Sequence, residues 1–183
     1  MLQKFCQWML SVLGWKMIGS LPDIKKYVLI VVPHTSNWDM PIGLLARFSL
    51  GTKIHFLAKK EIFVFPVKGL FKALGGIPVE RSKSINRVDM LVTTFQEHER
   101  FILAVAPEGT RSPVKRWKFG FYHIAHKAEV PLVMVGFDYA KKEIIIREPF
   151  NTTGDLPKDY QVMLQFFQGI QGKRPKELPQ SID

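Results

Sequence analysis

The chain has 183 residues, a length that suits one domain with a full hydrophobic core. Apolar residues make up 46% of the sequence, which excludes an intrinsically disordered chain, and the single cysteine excludes a framework of internal disulfide bonds. The net charge of +10 indicates a polyanionic partner, and composition leaves nucleic acid, an anionic membrane surface and a phosphorylated substrate open.

The first twenty residues predict a helix that is apolar around most of its circumference. Met1–Ser20 carries one narrow polar stripe, and such a helix is too apolar to stand alone in water. It either packs on the domain or lies in a membrane interface, where its tryptophan and lysine side chains suit the headgroup boundary. Its apolar stretch is shorter than the roughly 18 residues of a membrane-spanning helix, and no signal-peptide cleavage pattern follows it.

The rest of the chain alternates apolar strands with amphipathic helices. Strands are predicted at Val28–Val32, Lys53–Ala58, Phe101–Ala106, Pro131–Phe137 and Glu143–Arg147. Helices are predicted at Trp38–Leu50, Asn86–Arg100, Phe119–Ala128 and Leu156–Ile170, with short helices between 59 and 74. The short turn before the last strand favours an antiparallel hairpin. The pattern predicts a single-domain α/β fold, with a mixed, mostly parallel sheet flanked by helices and a frayed polar tail from Gln171.

A histidine follows the first predicted strand directly. Pro33 ends the strand, so His34 lies at its carboxyl edge, where open α/β sheets bind their ligands. Asp39 comes five residues later, across a turn that starts a helix and returns its carboxylate towards the imidazole. An aspartate bonded to one ring nitrogen fixes the tautomer and leaves the other nitrogen as a base. A structural histidine and a helix-start aspartate are the simpler alternative.

Two further strand ends carry charge. Gly75 and Gly76 open a short strand that ends at Arg81, which by itself is typical of a solvated surface charge. The third predicted strand ends in the charged loop Glu108–Ser112. Lys115–Lys127 then mixes basic and aromatic residues, a pattern that also suits a nucleic-acid backbone.

Four segments in this order resemble the glycerolipid acyltransferase family of the 1-acyl-sn-glycerol-3-phosphate acyltransferase type. The first is the His-x4-Asp motif, here His34 to Asp39 with Ser36 between them. The others are Gly76–Arg81, the Glu-Gly-Thr-Arg-Ser run at Glu108–Ser112, and the strand that opens at Val130. Lys118-Phe119-Gly120 also resembles the family's Lys-x-Gly. The matches span Val28–Val135, which is most of the predicted domain.

The resemblance implies an O-acyltransferase that uses an acyl thioester, either acyl-CoA or acyl-carrier protein as co-substrate. Its expected acceptor is a lysophospholipid hydroxyl, foremost that of 1-acyl-glycerol 3-phosphate, which would give phosphatidic acid. Glycerol 3-phosphate and a lyso-aminolipid are the alternative acceptors. His34 would act as base and Asp39 would orient it, with no nucleophilic serine or cysteine, no metal and no further cofactor.

The predicted substrate-binding residues are Ser36, Arg81, Glu108, Gly109, Thr110, Arg111 and Lys118. The guanidinium groups of Arg81 and Arg111 are the candidates for a substrate phosphate, because they fit its oxygens bidentately. Lys118 would add point charge, and Ser36 is interpreted as a turn residue or a substrate contact. Glu108 is expected to hold its own loop by backbone hydrogen bonds, and a contact to a glycerol hydroxyl is the alternative.

The same interpretation divides the chain into an amphipathic helix at 1–22, an acyltransferase domain at 23–172 and a polar tail at 173–183. We expect the first helix and the aromatic segment Ile62–Leu74 to line a trough for the acyl chain. A peripheral or monotopic position on the cytoplasmic face of an anionic membrane follows from that expectation. The rival hypothesis is a basic module that binds nucleic acid or membrane without catalysis; it leaves the order of the motifs unexplained, so no nucleic-acid partner is expected.

Overall fold

A computed structural model describes residues 1–79, 85–180 and 182. Within them the strands are β1 Lys16–Ile18, β2 Lys26–Val32, β3 His55–Lys59, β4 Gly76–Val79, β5 Phe101–Val105, β6 Leu132–Asp138 and β7 Glu143–Ile146. The helices are α1 Leu2–Val12, α2 Asp39–Ser49, α3 Lys68–Ala73, α4 Ile85–Glu97, α5 Gly120–Lys127 and α6 Leu156–Phe167, with a 3-10 turn at Lys60–Ile62.

The strands form one sheet in the order β1-β7-β6-β2-β5-β3-β4. Neighbours from β6 to β4 run parallel, and β7 runs antiparallel to β6, which confirms the predicted hairpin. β2 lies at the centre beside β5, with Ile30 opposite Val105. The carboxyl ends of these two strands therefore meet at one edge of the sheet, which brings the loops after Val32 and after Val105 together.

Both faces of the sheet are covered by helices. Alternate residues of β2 point to opposite faces, so that Val28 and Ile30 join a core with α4, α5 and α6, while Tyr27 and Leu29 join a core with α1 and α2. A sheet buried on both faces explains why its strands read as continuous apolar runs. The predicted single-domain, mostly parallel α/β fold is confirmed.

The first predicted helix is too long. α1 ends at Val12, and Gly14 takes a positive φ of 78° that an L-residue with a side chain adopts only with strain. Beyond it, β1 pairs in parallel with β7. β1 was not predicted from the sequence, because the apolar pattern of Met1–Ser20 favours a helix there. Cys6 and Leu10 are buried on the domain, whereas the opposite side of α1 leaves large apolar side chains exposed: Leu2, Phe5, Trp8 and Val12.

No helix in the described part of the chain has both the length and the apolar character that crossing a membrane requires.

The prediction that the tail is frayed is wrong. The side chain of Lys176 is only 2% exposed, and it donates hydrogen bonds to backbone carbonyls 66 and 142 residues earlier in the chain. Tyr160 of α6 donates to the carbonyl of Pro179, and Leu178 packs against the core. These long-range contacts outweigh the polar composition that suggested disorder.

Candidate active site

The turn after β2 brings His34 and Asp39 together as predicted. Nδ1 of His34 lies 2.9 Å from Oδ2 of Asp39, the first residue of α2. The same oxygen accepts hydrogen bonds from the backbone N–H groups of Thr35 at 2.8 Å and Ser36 at 2.9 Å. The carboxylate thus caps its own turn and binds the imidazole at once, which fixes the position of the ring.

Asp39 is held in its charged form although it is buried, with 5% of the residue exposed. Burial raises its pKa and is the largest single influence. The hydrogen bonds from His34, Tyr139, Ser36 and Thr35 together exceed it, so the net pKa lies below the ordinary value. An ionised carboxylate only accepts hydrogen bonds, so Nδ1 of His34 is the donor in this pair.

The second ring nitrogen of His34 therefore carries a lone pair. With the proton on Nδ1, Nε2 is unprotonated in the neutral imidazole and can accept a proton. The His34 side chain is 31% exposed, so a substrate can reach it from solvent. This is the arrangement that general-base catalysis requires.

Sequence reasoning missed Tyr139. This residue follows β6, in the turn to β7, and its hydroxyl donates to Oδ1 of Asp39 at 2.6 Å. Its ring packs edge-on against Trp15, with centroids 4.9 Å apart. Burial, followed by the hydrogen bond and charge of Asp39, raises the pKa of Tyr139. The hydroxyl therefore stays protonated and acts as the donor in its hydrogen bond to Asp39. A contact across 100 residues of sequence leaves no local signal.

An apolar cavity of about 240 Å³ opens beside the pair, between α2 and the sheet. Its lining includes His34 and Asp39 themselves and small residues that leave the space free, namely Gly43, Ala46, Ala104 and Ala106. Larger apolar side chains complete it: Leu29, Val31, Phe56, Val135, Phe137 and Ile144. No residue of Met1–Ser20 or of Ile62–Leu74, where the sequence predicts a trough for the acyl chain, lines this cavity.

The loop after β5 reaches the same edge of the sheet. Glu108 is 1% exposed, and its Oε2 accepts the backbone N–H of His34 at 2.8 Å. The same oxygen lies 3.0 Å from Nζ of Lys176. Burial raises the pKa of Glu108, against the lowering influence of Lys176 and His34. Glu108 therefore has a structural contact, as predicted, but it binds the turn of His34 instead of its own loop.

Of the other predicted binding residues, Ser36 and Gly109 shape turns, whereas Thr110, Arg111 and Lys118 are accessible to solvent. Ser36 is a turn residue, since its Oγ accepts the N–H of Trp38 at 3.2 Å. Gly109, with φ of 63°, bends the loop so that the stem of Lys118 passes alongside it. Arg111 and Lys118 are exposed, and Thr110 is partly exposed. Arg81 lies outside the described residues.

The chemistry open to this site follows from what meets there. A base with one free nitrogen stands at an apolar cavity, and a loop with exposed cations shares its edge of the sheet. Such a site can take a proton from a polar acceptor while an apolar chain occupies the cavity.

Comparison with known proteins gives the same fold and family. A family model described as Acyltransferase matches residues 16–138. The chloroplastic 1-acyl-sn-glycerol-3-phosphate acyltransferase of Brassica napus is 32% identical over an alignment of 107 residues, and the match covers 56% of this chain and 31% of that protein. Its counterpart in Arabidopsis thaliana is 30% identical over 111 residues, with the same coverage.

The chain thus spans about a third of the length of these curated relatives. The crystal structure of the 1-acyl-sn-glycerophosphate acyltransferase of Thermotoga maritima covers 96% of this chain, and 80% of its own, with a TM-score of 0.63. At 20% identity this match shows a shared fold. The family model covers more than half of the chain, and the chain belongs to the acyltransferase family.

Proposed function

We propose that this protein transfers an acyl chain from a thioester to the free hydroxyl of a lysophospholipid, with 1-acyl-glycerol 3-phosphate as the preferred acceptor. The single observation that carries the proposal is the position of His34. Its imidazole is oriented by a charged aspartate at 2.9 Å and lines an apolar cavity of about 240 Å³. The two plant relatives, both 1-acyl-sn-glycerol-3-phosphate acyltransferases, support the choice of acceptor.

The mechanism needs one proton transfer and one acyl transfer. The acceptor hydroxyl gives its proton to Nε2 of His34 while its oxygen attacks the thioester carbonyl carbon. The carbon–sulfur bond then breaks, and the imidazolium returns the proton to the departing thiolate. Asp39 stabilises the imidazolium between these steps. The products are an ester and a free thiol, and His34 ends in its starting state.

The cavity suits the acyl chain. Each methylene removed from water contributes about 0.8 kcal/mol, so a long chain binds strongly in an apolar channel. Since the acceptor oxygen must lie between Nε2 and the thioester carbonyl carbon, the acyl chain would extend from the neighbourhood of His34 between α2 and the sheet. Residues of small size on both sides, Gly43 and Ala104 among them, leave room for it.

The acceptor phosphate would bind at the loop after β5. Arg111 is exposed there, and its guanidinium fits phosphate oxygens bidentately. Lys118 adds a second charge beside Gly109. Arg81 belongs to the proposed set by its motif. Acyl-CoA and acyl-carrier protein are both proposed donors, because the chemistry at the thioester is the same for either.

We further propose that the protein lies on the cytoplasmic face of an anionic membrane as a peripheral or monotopic protein. The exposed apolar side of α1 carries Phe5 at 53% and Trp8 at 58% exposure. Trp38 and Met40, next to the site, are also exposed. A net charge of +10 favours anionic headgroups. This position would give the site direct access to lipid substrates.

The experiment that tests the function is an acceptor screen with one labelled acyl-CoA. We expect free thiol and phosphatidic acid to appear together when 1-acyl-glycerol 3-phosphate is added. Glycerol 3-phosphate and a lyso-aminolipid serve as competing acceptors in the same screen. Thiol release with water as the only acceptor, or no turnover with any lipid, would contradict an acyltransferase; faster turnover with another acceptor would move the substrate assignment.

Membrane binding is tested by sedimentation with phosphatidylglycerol vesicles and with neutral vesicles. Trp8→Ala should lower the bound fraction on anionic vesicles several-fold, because the indole is lost from the apolar side of α1. Met90→Ala is the matched control, since Met90 is similarly exposed but lies on α4, on the opposite face of the sheet. Equal loss in both variants would contradict a docking surface on α1.

A further inference from the structure

One buried ion pair binds the backbone of His34 on both sides. Glu108 accepts the N–H of His34 at 2.8 Å. Lys176 donates to the carbonyl of His34 at 3.1 Å. The two side chains also bind each other at 3.0 Å, and they are 1% and 2% exposed. The peptide groups before and after the proposed base are therefore fixed by the same pair.

Lys176 uses all its hydrogen-bonding capacity in this role. Its ammonium has three protons, and they meet Glu108, the carbonyl of His34 and the carbonyl of Thr110 at 3.2 Å. Two of these partners belong to the loop after β5 and one to the turn after β2. Lys176 thus joins the proposed base to the loop that carries the proposed phosphate-binding residues.

The segment that delivers Lys176 lies across the turn of His34. The N–H of Tyr139 donates to the carbonyl of Gln171 at 2.8 Å. The N–H of Arg174 meets Oγ1 of Thr35 at 3.4 Å, and Nζ of Lys173 lies 4.7 Å from the ring centre of Trp38. Gly172 sits so close to Thr35 that an added Cβ would approach its side chain to 2.5 Å. Segment 171–176 therefore packs closely against the turn after β2.

We propose that Lys176 is a positioning residue for His34, and that the segment 171–176 completes the active site as a strap across the turn after β2. The ammonium does not touch the reacting atoms. It fixes the backbone from which the imidazole projects, and it keeps the buried Glu108 carboxylate paired. This inference rests on the proposed function for its effect on turnover, but its effect on the imidazole can be measured without substrate.

The test compares Lys176→Met with Lys158→Met, the same substitution at an exposed lysine of α6 that lies outside segment 171–176. Proton NMR of the histidine Nδ1–H signals reads the hydrogen bond to Asp39 directly. We expect the His34 signal to broaden or disappear in Lys176→Met. The kcat should fall roughly ten- to a hundredfold with KM for the acyl donor within twofold. Lys158→Met should keep the signal and the kcat.

Removal of Lys176 alone leaves a buried charge unpaired, which destabilises proteins strongly. The double variant Glu108→Gln/Lys176→Met removes both charges and keeps an acceptor for the N–H of His34, so it should fold. We expect it to regain thermal stability but not the His34 signal or the wild-type kcat. A folded double variant with both restored would overturn the proposal, because the pair would then serve stability alone.

The two proposals fail in different ways. A wild-type protein that acylates no lipid refutes the proposed function, while loss of the His34 signal in a folded Lys176 variant still supports positioning. A wild-type signal in folded Lys176→Met overturns positioning whatever the activity.

Discussion

The two faces of the sheet are covered by helices in different ways. On the face of α4, α5 and α6, large aromatic side chains fill the space, and Trp117 packs edge-on against Tyr160 with ring centroids 5.2 Å apart. Trp117 is 2% exposed and Tyr160 is 0% exposed. On the face of α2, small residues such as Ala46 leave a cavity of about 240 Å³.

This difference in packing indicates that one face contributes mainly to stability, whereas the other leaves room for a substrate. The filled face has the packing that close-packed interiors need, and a change of volume there is felt at once. The open face, that of α2, lacks such dense packing, and its cavity lies beside His34 at the carboxyl edge of the sheet. The same strands therefore carry a close-packed core on one side and, in the proposed function, the active site on the other. Substitutions on the two faces should accordingly have different consequences.

The strongest effect is expected at the base. His34→Ala should lower kcat by about two to four orders of magnitude, the usual contribution of a general base, with the melting temperature nearly unchanged. His123→Ala is the control, because His123 is exposed on α5 at the filled face. Steady-state kinetics with a thiol-detecting reagent measures both. An equal rate for wild type and His34→Ala would remove His34 from the chemistry.

The same substitution, alanine to leucine, can be made on both faces of the sheet. Ala125→Leu on α5 inserts volume into the filled core and should lower the free energy of unfolding by about 1–3 kcal/mol. Ala46→Leu on α2 puts the same volume into the cavity. It should change the free energy of unfolding by less than about 1 kcal/mol. It should lower kcat/KM for long acyl donors by roughly tenfold, because the leucine side chain takes the space that about two methylenes of the donor would occupy.

Denaturant unfolding and a series of acyl-CoA chain lengths measure the two effects. A stable Ala46→Leu variant with an unaltered chain-length profile would contradict the cavity as the acyl site. A stable Ala125→Leu variant would contradict the filled face.

A comparable effect is expected at the loop after β5. Arg111→Ala should raise the KM for the lysophospholipid acceptor about tenfold, which corresponds to one charge-assisted hydrogen bond. The kcat should change little. Arg116→Ala, at an exposed arginine of the next segment, is the control. If Arg111→Ala lowered only the melting temperature, the phosphate assignment would fail.

The weakest effect is expected at Tyr139. Tyr139→Phe keeps the ring against Trp15 and removes the hydrogen bond to Asp39, so kcat should fall about fivefold, equivalent to roughly 1 kcal/mol. The hydrogen bond lowers the pKa of Asp39, and its stabilisation is present above the ordinary carboxyl pKa. It is lost as the pH falls through the lowered pKa of the folded state.

The difference in unfolding free energy between wild type and Tyr139→Phe should therefore be largest near neutral pH and shrink in acid. Unfolding measured across this pH range tests the sign. A difference that grew as the pH fell would mean that Tyr139 does not stabilise the charged carboxylate.

Local patterns predicted the parts of the fold that local physics determines. Apolar runs identified the central strands, and Pro33 correctly placed the end of β2. The spacing from His34 to Asp39 predicted their contact, because a turn into a helix brings the two side chains together within five residues.

Features that depend on distant partners were missed. β1 lies inside a stretch whose composition favours a helix, although Gly14 was a signal that the helix ends. Lys176 reads as an ordinary solvated lysine, since only the folded chain brings Glu108 to it. The cavity beside His34 was not predicted, because it arises from small residues such as Gly43, whose effect depends on what lies opposite them in the fold.

Whether the open face holds the acyl chain is decided by crosslinking with an acyl-CoA that carries a photoreactive group near the end of its chain. We predict that the label attaches to peptides from α2 and β5, which line the cavity, and that Ala46→Leu reduces it strongly. Label on α1 or on Ile62–Leu74, unaffected by Ala46→Leu, would place the chain outside the sheet and contradict the division of the molecule into a filled face and a catalytic one.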